Sequence, residues 1–314
     1  MNLFVTGATG YIGSVTTEHL TRAGHTLTAL ARSEHSQSRL AAQGVTPVRG
    51  ELSDTARLAE LASLADGVVW MATSNREDLD APAVDAILER LRGSGKTFLY
   101  TSGVWVHGNT QGRGDEDSPL EPAELVAFRV PVERRVLTTP GVRGLVVRPG
   151  IVYGRNGGIP SMFSASLAAA GAARFVGTGE NRWATVWVDD LADLYVRTLE
   201  RAPAGAVLIG VHDAAFRVRE IARAASAGAG AAERVVSWPL SEARVELGAF
   251  ADALALDQEF SAARAERLLG WRPRGPSIVE ELRSGSYAVA SAGHRSGALS
   301  SDTKFPKPAA MSRI

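Results

Sequence analysis

Short apolar runs alternate with helix-length amphipathic stretches through the first half of the chain. This alternation is typical of βαβ units, which build a parallel sheet covered by helices. The pattern predicts strands at residues 3–6, 26–31, 45–48, 67–71, 97–101 and 145–148. It predicts helices at residues 12–23, 36–43, 55–64, 81–93 and 123–137, several of them closed by glycine. The predicted fold class is therefore α/β, with a doubly wound parallel sheet.

The second half of the chain has a less regular pattern. Residues 185–200 predict a strand and a helix, and residues 207–210 a strand, all expected to return to the first sheet. Residues 216–290 predict a smaller, mainly helical lobe over the ends of the strands, where open sheets bind ligands. The predicted units are a sheet domain of residues 1–154 and 185–211, a helical lobe of residues 155–184 and 212–292, and a flexible tail of residues 293–314.

Residues 6–13 read TGATGYIG, directly after a predicted strand and at the start of a helix. In this context Gly7 allows a tight turn, Gly10 lets backbone amides approach a pyrophosphate, and Gly13 lets the helix pack closely on the sheet. The helix N-terminus adds partial positive charge. The segment therefore predicts a Rossmann-type dinucleotide site rather than a glycine-rich loop without a ligand. The predicted contacts in it are Gly7, Thr9, Gly10, Tyr11, Ile12 and Gly13.

The end of the second strand indicates which dinucleotide is bound. An NAD-specific protein often carries an acid there to bind the adenosine ribose, whereas this chain has Arg32 and Ser33. A guanidinium and a hydroxyl suit a 2′-phosphate, which favours NADP(H) over NAD(H). The alternative is that Arg32 is a solvated surface arginine.

Composition narrows the classes of partner and cofactor. The 34 basic and 34 acidic residues cancel, so no excess positive charge favours nucleic acid or an anionic membrane. No apolar run is long enough to predict a membrane span, and glycine at residue 7 leaves no room for a signal peptide, so we expect a cytoplasmic location. Cysteine is absent and the adjacent acids 115–117 are expected to be solvated, so no metal site is predicted. A small-molecule substrate is favoured.

Six segments together resemble, in order, the extended short-chain dehydrogenase/reductase family, in its epimerase/dehydratase group. They are residues 6–13, 69–72, 100–103, 148–154, 186–192 and 269–273. The resemblance runs from residue 3 to about residue 287 and implies a cofactor in the sheet domain and substrate in the helical lobe, including the loop of residues 177–183. It implies further cofactor contacts at Glu51, Leu52, Met71, Ala72, Thr73, Pro149, Ile151 and Val152.

The family's central Tyr-x-x-x-Lys pair is missing from the sequence, because none of the five tyrosines is followed by lysine at that spacing. Aligning Glu133 with the glutamate that commonly follows the family lysine places Arg129 at the lysine position and Leu125 at the tyrosine position. Arg129 is predicted to bind ribose hydroxyls and to contribute positive charge, but a guanidinium that stays protonated cannot relay a proton. The alternative is an exposed helix arginine.

Another group must then handle the proton, and the candidates are Ser102, His107 and Tyr153. Ser102 lies in the segment where the family keeps a serine or threonine for the reacting oxygen. His107 titrates near neutral pH, although a lone histidine is more often structural. Tyr153 ends the segment beside the nicotinamide and would need a cationic neighbour, such as Arg129, to lower its pKa. Ser102 and Tyr153 are the favoured pair.

Three functions remain open from the sequence. The first is NAD(P)(H)-dependent hydride transfer at an alcohol or carbonyl carbon of a small organic or sugar-like substrate. The second keeps the cofactor but carries out a non-redox isomerisation or elimination, and the third is a catalytically inactive NADP(H)-binding sensor or scaffold. The resemblance also implies a homodimer formed through the helices predicted at residues 81–93 and 123–137.

Overall fold

A computed structural model describes residues 1–74 and 76–288; the predicted tail and the last residues of the helical lobe lie outside this part of the chain. The strands are β1 Asn2–Thr6, β2 Thr26–Ala31, β3 Thr46–Arg49, β4 Gly67–Trp70, β5 Thr97–Thr101, β6 Arg113–Gly114, β7 Arg143–Pro149, β8 Ile151–Tyr153, β9 Ala173–Val176, β10 Arg182–Trp183, β11 Thr185–Trp187, β12 Val207–Gly210, β13 Phe216–Arg217, β14 Val235–Trp238 and β15 Glu259–Phe260. The α-helices are α1 Tyr11–Arg22, α2 Glu34–Ala42, α3 Thr55–Leu64, α4 Glu77–Leu91, α5 Arg129–Thr138, α6 Ser161–Ala170, α7 Val188–Arg201, α8 Val218–Gly228, α9 Leu240–Leu247, α10 Ala249–Leu254, α11 Ala263–Leu269 and α12 Ile278–Ser284, with 3₁₀ helices at Val104–His107 and Glu124–Val126.

Seven parallel strands form the central sheet, in the order β12, β7, β5, β4, β1, β2 and β3. The chain moves outward from β1 through β2 to β3 and then crosses to β4 on the other side of β1. The predicted doubly wound α/β fold is therefore confirmed. Ligands of such sheets bind outside the carboxyl ends of the strands, where the strand order reverses.

Alternate residues of the central strands face opposite sides of the sheet, and both sides are buried. In β1, Leu3 and Val5 belong to one core cluster, whereas Phe4 belongs to another. In β4, Val69 belongs to the cluster of Leu3 and Val5, and Val68 belongs to the cluster of Phe4. Because helices cover both faces, these strands need apolar residues at every position, which is why they read as continuous apolar runs in the sequence.

Two predicted elements differ from the structure. The predicted helix over residues 123–137 is a 3₁₀ turn at Glu124–Val126 followed by α5, which begins only at Arg129. A helix starting earlier would place Pro131 in its interior, where proline removes a hydrogen bond, whereas a first turn accepts it. The strand predicted from residue 185 does not enter the main sheet: β11 pairs with β8, because β12 occupies the edge of β7.

A third core cluster lies in the second half of the chain, where α6, α8, α9 and α10 surround the parallel pair β9 and β14. It includes Phe163, Phe175, Trp238 and Phe250. Residues from β15 to Trp271 return to the cluster on one face of the main sheet. None of the helices in the described residues is both long enough and apolar enough to span a bilayer.

Candidate functional site

The glycine-rich turn connects β1 to α1 and is held by close backbone packing. Gly7 has a φ of +76°, and a Cβ there would lie 2.6 Å from the Ala72 amide nitrogen. A Cβ on Gly13 would lie 2.0 Å from the Gly7 carbonyl oxygen. At Gly10 the nearest atom to such a Cβ is 3.2 Å away. Gly7 and Gly13 are therefore required by the fold, whereas Gly10 leaves space that a ligand can approach.

The first turn of α1 is not capped by a side chain. Gly10 is its N-cap residue and provides no side-chain acceptor for the first amides of the helix. Four amide groups at a helix start lack partners within the helix, and an anion satisfies them well. The uncapped helix end and the open space at Gly10 fit the pyrophosphate of a dinucleotide.

Two arginines lie at the adenosine end of this predicted site. Arg32 directly follows β2 and is exposed, and Arg49 at the end of β3 is paired with Ala31 in the β2 and β3 ladder. Arg49 was not predicted to contact the cofactor, although the sequence has this basic residue directly after the predicted third strand. The Ser33 hydroxyl accepts a hydrogen bond from the Ser36 amide at 3.2 Å and caps α2. Glu51, which the family resemblance placed by the adenine, is exposed.

A cleft of about 140 Å³ opens beside this turn, between the carboxyl ends of β5 and β7 and the start of α1. Its lining residues are Tyr11, Ile12, Ser102, Gly103, Val104, Trp105, Arg129, Pro149, Gly150, Ile151, Val152, Gly158 and Ile159. The cleft thus brings together two residues of the glycine-rich turn, the catalytic candidate Ser102, Arg129 at the family's lysine position, and the segment that the resemblance placed beside the nicotinamide. His107 and Tyr153 do not line it.

Ser102 presents a hydroxyl that has no hydrogen-bond partner among the described residues. The residue is 3% exposed. Its backbone is fixed, because the amide donates to the Val147 carbonyl at 2.8 Å and the carbonyl accepts from Arg129 Nη1 at 2.9 Å. A rigid, buried hydroxyl at a cleft is suited to bind an oxygen of a ligand.

Arg129 begins α5 and its guanidinium lies between Ser102 and the loop after β4. Its Nη2 lies 3.4 Å from the Thr73 hydroxyl. The same loop is held by Asp80, whose carboxylate accepts from the Ser74 amide and hydroxyl at 3.0 and 2.7 Å. Burial raises the Asp80 pKa, and the hydrogen bonds from Ser74 and the positive charge of Arg129 act against this rise. Arg129 therefore places a positive charge at the cleft wall, and its binding of ribose hydroxyls stays a prediction.

The loop after β4 also carries three of the predicted cofactor contacts. Met71 and Ala72 are half-buried and Thr73 is exposed. The Met71 amide donates to the Thr6 carbonyl at 3.2 Å, which joins this loop to the end of β1. Leu52, by contrast, lies after β3 and packs against the core cluster on one face of the sheet.

Tyr153 is fully buried, and its hydroxyl donates to the Pro276 carbonyl at 2.6 Å. Burial raises the pKa of this phenol far above its ordinary value. Because the hydroxyl is engaged outside the cleft and resists ionisation, the geometry does not favour Tyr153 as the proton donor. Leu125, at the family's tyrosine position, packs against the third core cluster and offers no polar group.

His107 lies in a buried polar network rather than in the cleft. Its Nδ1 is 3.0 Å from the Pro119 carbonyl oxygen, and its Nε2 is 3.0 Å from Arg148 Nη1. A carbonyl only accepts and a guanidinium only donates, so the ring is neutral with its hydrogen on Nδ1. Burial and the adjacent Arg148 lower the His107 pKa. This placement favours the structural alternative for His107.

The same network includes Glu116, one of the three acids at residues 115–117 that were expected to be solvated. Arg148 pairs with buried Glu133 at 2.5 Å, and Glu116 is buried and accepts from the Ile209 amide at 2.9 Å. The expectation that all three acids are solvated is therefore wrong for Glu116, because the end of β12 supplies it with a backbone donor. No group of acidic or histidine side chains suited to a metal ion occurs in residues 1–74 and 76–288.

We expect the stability of the protein to fall as the pH drops below about 6.5, the ordinary histidine pKa in an unfolded chain. The folded state holds His107 neutral, so below that pH the unfolded chain binds a proton that the folded protein refuses. Urea unfolding from pH 8 to pH 5 measures the loss. The free energy of unfolding of His107→Gln should approach that of the wild type as the pH falls. A difference that stays constant with pH would contradict the neutral state assigned to His107.

The loop of residues 177–183, where the resemblance implies substrate binding, uses its polar groups within the fold. Asn181 Nδ2 donates to the Leu254 and Leu256 carbonyls at 3.1 and 3.0 Å. Arg182 pairs with Asp257 at 3.0 Å, and Trp183 Nε1 donates to the Leu254 carbonyl at 3.0 Å. These contacts fix the loop to the end of α10 and to the residues that follow it. The Trp183 ring lines a neighbouring cavity.

Known proteins match the chain over most of its length. An uncharacterized protein of Schizosaccharomyces pombe is 30% identical over 297 residues, which cover 91% of this chain and all of that protein. A 2-alkyl-3-oxoalkanoate reductase of Stenotrophomonas maltophilia is 26% identical over 327 residues, covering 90% of this chain and 98% of that one. The crystal structure of the human epimerase family protein SDR39U1 with NADPH superposes with a TM-score of 0.72 at 20% identity, covering 91% and 99% of the two chains.

The sequence of this chain also matches the model of a protein family, and the sheet order and the glycine-rich turn lie within the matched residues. The model of the NAD dependent epimerase/dehydratase family matches residues 3–210, from β1 to the end of β12. Reductases are among the relatives, and a nicotinamide cofactor is supported. The chain belongs to the NAD dependent epimerase/dehydratase family.

Proposed function

We propose that this protein is an NADP(H)-dependent oxidoreductase that interconverts a carbonyl and an alcohol on a small, largely apolar substrate. The Ser102 hydroxyl carries the proposal, because it is buried at the cleft, has no hydrogen-bond partner in residues 1–74 and 76–288, and belongs to a residue that Arg129 contacts. A buried hydroxyl left unpaired costs about 1–3 kcal/mol. Binding a substrate oxygen recovers that cost, and the apolar lining of the cleft suits the rest of such a substrate.

One group of residues would bind the cofactor, and another would contact the substrate oxygen. The turn around Gly10 and the start of α1 would hold the pyrophosphate, with Pro149 to Val152 beside the nicotinamide. When bound, this cofactor supplies or accepts the hydride. Ser102 donates its hydrogen bond to the substrate oxygen, and Arg129 stabilises the negative charge that develops there. Ser102 passes its proton to that oxygen, and a water molecule that enters after the alcohol leaves would return a proton to the serine and be left as hydroxide.

Calorimetric titration with NADPH and NADH, followed by a carbonyl-substrate screen that monitors reduced-cofactor absorbance, tests this function. Binding together with substrate-dependent oxidation supports the oxidoreductase. Binding without oxidation across the panel rejects it and favours a non-redox isomerase or lyase, or a sensor. The sensor is a second candidate because Leu125 replaces the tyrosine that the family uses for proton transfer.

Arg32→Asp is expected to weaken NADPH binding by about 100-fold, the value of two charge-assisted hydrogen bonds, while NADH binding changes far less. The exposed guanidinium at the end of β2 would bind the 2′-phosphate, with Arg49 of the adjacent strand as its partner. Calorimetry with both cofactors measures the change. Arg39→Asp, on the exposed surface of α2, is the matched control. Equal losses for the two cofactors would reject the preference for NADP(H).

Two further expectations remain predictions within this proposal. The sheet domain is assigned to the cofactor and the lobe built around the third core cluster to the substrate. A homodimer would use α4 and α5, which contact each other on one face of the sheet. The second of these helices is shorter than predicted from the sequence.

A further inference from the structure

Asp80 is a buried acid in the first turn of α4 that the proposed chemistry does not use. It is 3% exposed, whereas Glu77 and Asp78 in the same turn are exposed to solvent. Aspartate is seldom buried unless its charge is paired or hydrogen-bonded, because removing a carboxylate from water is costly. The reason for the burial of Asp80 therefore lies in the contacts that its carboxylate makes.

The Asp80 carboxylate binds the loop after β4, which carries predicted cofactor contacts. Its Oδ1 and Oδ2 accept from the Ser74 amide at 3.1 and 3.0 Å, and Oδ1 also accepts from the Ser74 hydroxyl at 2.7 Å. Oδ2 accepts from the Thr73 hydroxyl at 3.3 Å. Each of these partners can donate, as an ionised carboxylate requires. Asp80 thus fixes Thr73 and Ser74 to the start of α4.

A series of hydrogen bonds leads from Asp80 to the cleft. The Thr73 hydroxyl donates to Asp80, and its oxygen accepts from Arg129 Nη2 at 3.4 Å. The other terminal nitrogen of Arg129 donates to the Ser102 carbonyl at 2.9 Å. Because the carboxylate only accepts, it directs the Thr73 hydrogen toward itself and leaves the lone pairs of that oxygen for Arg129.

The Arg129 guanidinium is therefore held from two sides, by the loop after β4 and by the residue that follows β5. An arginine side chain has many rotamers, so a guanidinium held from one side only would lose its fixed direction. With both contacts in place, its planar group keeps one orientation at the wall of the cleft. Neither Asp80 nor Thr73 lines the cleft, so their effect on it passes through Arg129.

We propose that Asp80 is a positioning residue, which acts through Thr73 to hold the Arg129 guanidinium in place for the cofactor ribose and the substrate oxygen. The proposal rests on the proposed function, because that function gives Arg129 its role at the cleft. It assigns a function to a buried acid that touches neither the cofactor nor the substrate.

A double-mutant cycle of Asp80→Asn and Arg129→Gln tests this coupling, with NADPH affinity measured by calorimetry. Asparagine keeps the shape of aspartate but has no charge, and its NH₂ group cannot accept a hydrogen bond. Alone, Asp80→Asn should weaken NADPH binding by about tenfold, the value of one charge-assisted hydrogen bond. In the Arg129→Gln background the same change should weaken binding by at most about twofold, because the group that Asp80 positions is no longer there.

Asp78→Asn is the matched control for the loss of a carboxylate charge in this turn. Asp78 pairs with Arg76 at 2.5 Å, but both side chains are exposed, and exposed ion pairs contribute little. This variant should leave NADPH affinity unchanged in both backgrounds. If Asp80 only supported the fold, Asp80→Asn would weaken binding equally in both backgrounds, and that result would overturn the proposal.

If Asp80→Asn fails to fold, Thr73→Val takes its place in the cycle. Valine keeps the branched shape of threonine but removes the hydroxyl that connects the acid to the guanidinium. A loss of NADPH affinity that disappears in the Arg129→Gln background supports the connection. No loss, or the same loss in both backgrounds, overturns it, because Thr73 would then act without Arg129.

Turnover in the carbonyl screen separates this role from the oxidoreductase. Coupling between Asp80 and Arg129 in NADPH affinity, without turnover of any carbonyl, supports the positioning role and rejects the proposed redox function. Turnover without this coupling overturns the positioning role and leaves the redox function intact. A wild-type protein that does not bind NADPH overturns both.

Discussion

Gly10→Val is expected to weaken NADPH and NADH binding by about 100-fold or more, while the protein still folds. The added side chain occupies the space through which the pyrophosphate reaches the amides at the start of α1, and losing two charge-assisted hydrogen bonds there accounts for this factor. A Cβ at Gly10 would lie 3.2 Å from the Gly7 carbonyl oxygen, a close contact that requires a shift of a few tenths of an ångström, so a small loss of stability is expected as well. Calorimetry measures the binding, and circular dichroism with thermal unfolding checks the fold.

Gly13→Ala is the informative comparison for this experiment. A Cβ at Gly13 would lie 2.0 Å from the Gly7 carbonyl oxygen, which belongs to the backbone and cannot rotate away. This variant should therefore lose stability as well as binding. Full cofactor affinity in a folded Gly10→Val protein would place the pyrophosphate elsewhere and contradict the assigned site.

Ser102→Ala is expected to lower kcat/KM for carbonyl reduction by about 100-fold or more, the usual effect of removing one donor to a developing oxyanion. The thermal unfolding temperature should stay the same or rise slightly, because the substitution breaks no hydrogen bond of this hydroxyl within the described part of the chain. NADPH affinity should change little. Steady-state kinetics, thermal unfolding and calorimetry on the same preparation provide the three readouts.

Ser226→Ala provides a matched control for this loss. Ser226 in α8 is also buried, and its hydroxyl likewise has no hydrogen-bond partner among the residues that the structure describes, but it does not line the cleft. Both variants remove an unpaired hydroxyl from the interior, so they should affect stability alike and activity differently. Equal activities in the two variants would show that Ser102 does not bind the reacting oxygen.

The catalytic candidates show where prediction from the sequence reaches its limit. Ser102 directly follows β5, His107 ends the 3₁₀ helix after it and Tyr153 ends β8. The sequence favoured Ser102 together with Tyr153. The structure pairs the Tyr153 hydroxyl with a carbonyl 123 positions away and His107 with an arginine 41 positions away. No spacing rule within the sequence predicts such partners, because they depend on how distant segments pack.

The sequence by itself determined the parallel sheet, the glycine-rich turn and the family, because these depend on local periodicity and on the backbone freedom of Gly7. Only the tertiary structure decided which polar groups are free and which are used. It left the Ser102 hydroxyl at the cleft without a partner among the described residues, and it brought Arg49 beside the end of β2. The physical reason is that hydrogen-bond satisfaction depends on all neighbours in space, most of which are remote in the chain.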